Sequence, residues 1–124
     1  MNAKVLLIDD DQGALRTIEI LLARLGHTVR TASDGREGLK LFNADPPDLV
    51  LTDIIMPDME GIETIIEMRR ARPGAKIIAM SGGGPMTKKS LLSMALKLGA
   101  DAALAKPFDG DDLADAITHA FGDA

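Results

Sequence analysis

Asp9-Asp10-Asp11, Asp53, Ser81 and Lys106 each directly follow a mainly apolar run, and together they hold most of the chemistry this sequence offers. The runs are Val5–Ile8, Leu49–Thr52, Lys76–Met80 and Ala102–Ala105. If these runs are parallel strands of one sheet, their C-terminal ends share an edge, which is where open α/β sheets bind ligands. That edge would carry several carboxylates, one hydroxyl and one ammonium. A packed core has no use for so many charges there. A hard metal ion and a phosphoryl group do.

Helix capping accounts for one of the three consecutive aspartates, Asp11. Asp9 and Asp10 are left over, beside Asp53, and like charges so close together raise pKa values or recruit a cation. The ligand set is oxygen only, with no cysteine and with His27 and His119 away from any strand C-terminus. It therefore favours Mg2+, or Mn2+, over zinc. Ordinary surface roles suit both histidines. Asp53 ends the central run and is the nucleophile candidate, because a carboxylate can accept a phosphoryl group as an acyl phosphate. A role as metal ligand is compatible with this. Lys106 can offer positive charge to phosphoryl oxygens and Ser81 a hydrogen bond. In such a transfer, positioning and charge neutralisation supply most of the acceleration.

Positioning these groups requires five strand–helix units, and apolar runs alternate with amphipathic stretches once per roughly 25 residues. Strands are expected at 3–8, 28–32, 48–52, 76–80 and 101–105, the second half-polar and at an edge. Helices are expected at 12–26, 36–44, 61–71, 87–98 and 111–121. In the first helix Ala14, Leu15, Ile18, Leu21, Leu22 and Leu25 recur at helical spacing; in the third Ile62, Ile65, Ile66 and Arg69 do so. Asp109 or Asp111 caps the last helix. Alternation alone leaves the strand order open, while right-handed crossovers favour a doubly wound sheet.

The 124 residues suffice for one domain with a continuous core, residues 1–124. A net charge of -5 argues against a nucleic-acid face. Arg69, Arg70 and Arg72 are the densest basic group and read as a solvated helix end. The absence of cysteine excludes disulfides and thiolate metal sites and fits a reducing compartment. The N-terminus reads as neither signal peptide nor membrane span, so a cytoplasmic location is expected.

Taken in order, the segments Val5-Leu6-Leu7-Ile8-Asp9-Asp10-Asp11, Asp34-Gly35, Pro47–Asp53, Met56-Pro57-Asp58-Met59-Glu60-Gly61, Met80-Ser81, Gly99-Ala100-Asp101 and Lys106-Pro107-Phe108 are specific. Through them the chain, from about Lys4 to Phe121, resembles the receiver domain of bacterial response regulators in two-component and phosphorelay signalling. The resemblance implies a single-domain (βα)5 sandwich with a five-stranded parallel sheet in the flavodoxin-like order 2-1-3-4-5, an order already described for this family. It implies that Asp53 takes a phosphoryl group from a phosphohistidine of a sensor histidine kinase or histidine phosphotransfer protein. Asp10 and Asp53, with the backbone carbonyl of Ile55, would hold Mg2+, and Asp9 would act directly or through water. Ser81 would be the switch hydroxyl, Lys106 the phosphoryl contact, and Lys106–Pro107 a cis bond. Three carboxylates against one Mg2+ and one Lys would leave the site near neutral until phosphorylation adds charge.

Two departures bear on output. Ala103 stands where many members carry an aromatic residue, and Gly82-Gly83-Gly84 follows the switch serine. Phosphorylation is therefore expected to order residues 82–88 instead of turning a ring, and to alter the surface of helix 4, strand 5 and helix 5. That surface holds Lys88, Lys89, Lys97, Asp112 and Asp115 and could bind a downstream protein or pair two copies. The chain is expected to be a signalling phosphoacceptor, not an enzyme, assisting its own phosphorylation and slow dephosphorylation. A Met at the start and an end just past the last helix favour a stand-alone protein over a segment of a larger regulator. One rival is a Mg2+-dependent phosphohydrolase using Asp9-x-Asp11, disfavoured because Gly13 stands where a threonine-like residue is wanted and no cap domain fits. The other is a receiver-fold adaptor that is never phosphorylated, whose mark would be loss of Asp53, Lys106 or the acidic pair; none is lost.

Overall fold

Strands and helices alternate from end to end: β1 Lys4–Ile8, α1 Gln12–Arg24, β2 Thr28–Ala32, α2 Gly35–Ala44, β3 Leu49–Asp53, α3 Gly61–Ala71, β4 Lys76–Gly82, α4 Lys88–Leu98, β5 Ala102–Lys106 and α5 Gly110–Ala120. The computed structural model describes residues 2–54, 61–82 and 88–122. All strand pairs are parallel, in the order β2-β1-β3-β4-β5. This is the doubly wound, flavodoxin-like order that the resemblance implied.

Side-chain alternation along each strand divides the core in two. Val5, Leu7, Leu49, Leu51, Ile78 and Met80 face one way and pack with Leu15, Ile18 and Leu22 of α1 and Leu113 and Ile117 of α5. Leu6, Ile8, Val50, Ile77 and Ala79 face the other way, against Phe42 of α2, Ile65 and Met68 of α3 and Ala95 of α4. The inner strands are apolar on both faces because both faces are covered. At the edge, β2 keeps only Ala32 fully buried.

Local chemistry sets the element ends. Asp11 caps α1, its carboxylate accepting from the amides of Gly13 at 2.9 Å and Ala14 at 3.3 Å. Asp34 caps α2, accepting from Glu37 N–H at 2.8 Å, while Glu37 accepts from Ser33 N–H at 2.9 Å. Of the two caps expected for α5, Asp109 is the one used, in a reciprocal pair with Asp112. Gly26 and Gly99, with φ of 93° and 99°, turn the chain out of α1 and α4.

Three expectations need correction. β3 and β5 lie one residue later than their apolar runs suggest, and β4 extends to Gly82, because ladder pairing continues through Asp53↔Met80 and Gly82↔Lys106. Asp53, Ser81 and Lys106 are thus strand residues, not the first loop residues. On α3 the buried stripe is Gly61, Thr64, Ile65 and Met68, and Ile66 points to solvent. Finally, Arg69 is not part of a solvated helix end. Its half-buried guanidinium donates to the carbonyls of Gly99, Pro73 (2.8 Å) and Ala75 (2.5 Å) and pairs with Asp101 at 3.0 Å. Arg70 and Arg72 are exposed, as expected.

Candidate functional site

β1 and β3 are neighbours at the centre of the sheet, so the residues ending them emerge side by side. Asp9 follows Ile8 and is wholly inaccessible. Its amide donates to Ala32 O at 3.1 Å, and its Oδ1 accepts from Asp11 N–H at 3.0 Å. Asp10 lies in the bend after β1 and is exposed. Asp53, the last residue of β3, is 8% exposed. One carboxylate oxygen from each of Asp9, Asp10 and Asp53 lies within 4.8 Å of the others. Distant stretches of chain therefore meet as anticipated.

Lys106 ends β5, two strands away, and its Nζ reaches both buried acids. It donates to Asp9 Oδ2 and, at 3.2 Å, to Asp53 Oδ2. Burial alone would lower the lysine pKa; the hydrogen bond to Asp9 and the charges of Asp53 and Asp9 outweigh it, so the pKa lies above its ordinary value. Lys106 stays an ammonium at neutral pH. Three carboxylates against this one cation leave an excess of two negative charges. The donor set is hard oxygen throughout, and the group can hold a metal ion.

Alternation explains which side chains share a face. Asp9 continues Val5 and Leu7, Asp53 continues Leu49 and Leu51, and Lys106 continues Ala102 and Leu104, all on the α1/α5 side. Ser81 continues Ile77 and Ala79, toward α3 and α4. It is half-buried, one residue beyond Met80, the register partner of Asp53, and opposite Ala105. Its hydroxyl thus approaches the edge from the opposite face to the lysine. Ala103 and Ala105 are half-buried on that same face as Ser81 and present only methyl groups. Ile55 and most of the 82–88 stretch fall outside the described residues, as do the side chains of Lys88 and Lys89.

Sequence reasoning missed three residues. Arg69 had one signal, a cation on the apolar stripe of α3. His27, taken for a surface loop residue, is half-buried and accepts the Ala3 amide at Nδ1, 3.1 Å away. Gly61 was visible only as part of a motif, yet it lies against the backbone of Asp53 and Ile54. A hollow of about 830 Å³, lined by Asp48, Arg72, Lys76 and Phe121 among others, opens at the far edge of the sheet and shares no residue with this site. No described helix is long and apolar enough to cross a membrane.

The family described as "Response regulator receiver domain" matches residues 5–118. Sporulation initiation phosphotransferase F of Bacillus subtilis is 32% identical over 94% of this chain and 92% of its own length. Transcriptional regulatory protein GlrR of Escherichia coli is 35% identical over 95% of this chain, which spans only 26% of that protein. A crystal structure of a response regulator receiver domain protein from Clostridium thermocellum superimposes with a TM-score of 0.84 at 37% identity, covering 95% of this chain and 93% of that one.

Proposed function

Since the chain belongs to the response regulator receiver domain family, whose members are phosphoacceptors in signalling, we propose that Asp53 is the residue that takes the phosphoryl group. A carboxylate oxygen of Asp53 forms the new P–O bond as the P–N bond of a donor phosphohistidine breaks, and the departing imidazole nitrogen takes a proton. The donor is a sensor histidine kinase or a histidine phosphotransfer protein. Asp53 is nearly buried, so its nucleophilic oxygen is held in one place and shielded from bulk water. Lys106, already 3.2 Å from that carboxylate, neutralises charge on the incoming phosphoryl oxygens. Ser81 donates to the phosphoryl group from the opposite face.

Asp9, Asp10 and Asp53 would hold Mg2+, or Mn2+, with the Ile55 carbonyl completing the set. The cation supplies charge neutralisation and orientation of the phosphoryl oxygens. The observation that carries this reading is the convergence of three carboxylates within 4.8 Å of one another, two of which share one ammonium. Residues 1–124 act as one receiver unit. Phosphorylation changes the 82–88 stretch and the α4/β5/α5 surface, through which the chain meets a downstream protein or a second copy. The side chain of Ile55, two residues past the acceptor, is apolar and cannot orient a hydrolytic water, so the phosphorylated form persists well beyond seconds. The location is cytoplasmic.

The test is intact mass after incubation with a small acyl phosphate and Mg2+. Wild type gains one phosphoryl group; Asp53→Asn and wild type with chelator do not. Uptake by Asp53→Asn, with release of phosphate from small esters, would favour the Asp9-based phosphohydrolase instead.

A further inference from the structure

The peptide joining Asp53 to Ile54 is held by β4, by the Thr52 hydroxyl and by α3. From β4, Met80 O accepts the Ile54 amide at 2.9 Å. The hydroxyl of Thr52, itself wholly buried, donates to Asp53 O at 3.1 Å. From α3, Gly61 stands so close that a Cβ there would lie 2.0 Å from Asp53 O and 2.5 Å from Ile54 Cα. Both are backbone atoms and cannot turn aside. Gly38 is a useful contrast: a Cβ there would meet the Ile8 side chain at 2.4 Å, and a side chain can rotate away. At Gly61, unlike Gly38, the first turn of a helix presses on the main chain of a site residue.

We propose that Gly61 and Thr52 are positioning residues for phosphoryl acceptance, fixing the Asp53 peptide so that its carboxylate meets Lys106 and the other acids. This rests on Asp53 being the acceptor. The Asp53 Cα belongs to the clamped segment, so any side chain at position 61 displaces that segment and swings the carboxylate. Misplacement of a reacting group by about 1 Å can cost ~10²-fold in rate. Loss of the Thr52 hydroxyl removes one restraint and lets the carbonyl tilt, an effect of roughly fivefold, the equivalent of one ordinary hydrogen bond.

The test compares wild type, Gly61→Ala, Thr52→Val, Thr52→Ser and Met68→Ala in the full chain. Phosphorylation by a small acyl phosphate is followed against donor concentration and against Mg2+ concentration, with folding checked by circular dichroism. Met68 is buried in the same helix, two turns beyond Gly61, and makes none of the backbone contacts described above, so Met68→Ala lowers thermal stability but leaves the maximal rate within about twofold. Gly61→Ala loses about two orders of magnitude in maximal rate with donor half-saturation unchanged. Thr52→Val loses about fivefold and Thr52→Ser recovers it. If Gly61→Ala does not fold, the Thr52 pair decides alone. Wild-type rates in folded Gly61→Ala, or in Thr52→Val, overturn the inference while the acceptor reading stands. A wild type that takes up no phosphoryl group overturns both.

Discussion

Lys106 and Asp9, 97 residues apart in the chain, form an ion pair in which the carboxylate is wholly inaccessible and the ammonium also reaches Asp53 at 3.2 Å. The lysine is the internal counter-ion of the acidic edge. Replacing it with methionine of similar reach leaves a buried carboxylate without its partner, at a cost of about 3 kcal/mol. For a domain of this size that is a melting temperature lower by roughly 10 °C. Mg2+ should restore more stability to Lys106→Met than it adds to wild type, read by calorimetry with and without the ion.

Asp10 is the exposed member of the acidic trio and contributes least to packing. Asp10→Asn should fold normally and melt no lower than wild type without metal, because it relieves repulsion. It should also lose the stabilisation by Mg2+, which for a saturated site reaches about 2.7 kcal/mol at a hundredfold excess over Kd. Thermal shift against Mg2+ concentration measures both. A Mg2+ response equal to that of wild type would remove Asp10 from the metal site.

The edge chemistry was legible in the sequence because each functional residue follows a run that can only be a buried strand. A parallel sheet then puts Asp9, Asp53 and Lys106 on one edge, and the order β2-β1-β3-β4-β5 brings them together. What could not be read depends on neighbours brought in by folding. Ladder pairing carries β3 and β5 one residue past their apolar runs. The buried stripe of α3 takes in Thr64 and leaves out Ile66, because its helical face is set by what β3 and α2 present. Gly61 matters only because the Asp53 carbonyl comes to rest beside it. Arg69 finds carbonyls from two turns, Pro73 and Ala75 in the one before β4 and Gly99 thirty residues further on.

That Arg69 hub ties the end of α3 to the starts of β4 and β5. Asp101 also accepts from Ile77 N–H at 2.8 Å, so removing the guanidinium strands several half-buried acceptors. Arg69→Ala should cost about 2–4 kcal/mol. Arg69→Lys should recover little of it, since a lysine cannot present a planar fork. Exposed Arg70→Ala should change stability by less than about 0.5 kcal/mol. Urea midpoints at unchanged m-value check all three.

His27 holds the Ala3 amide through Nδ1, which only the neutral ring can do. Its folded pKa is lowered, chiefly by burial, from 6.5. The unfolded chain therefore binds the extra proton first. The contribution of His27 to stability is complete above about pH 6.5 and is lost as the pH falls from there through the lower folded value. His27→Asn should flatten this part of the stability–pH curve, measured by urea denaturation at stepped pH.

The most direct measurement locates the modified residue. After incubation with a small acyl phosphate and Mg2+, borohydride reduction converts a phosphoaspartate to homoserine, and peptide mass mapping finds it. Homoserine at Asp53 alone is the predicted result. Homoserine at Asp9 or Asp10, or at no aspartate while the protein remains folded, contradicts the account.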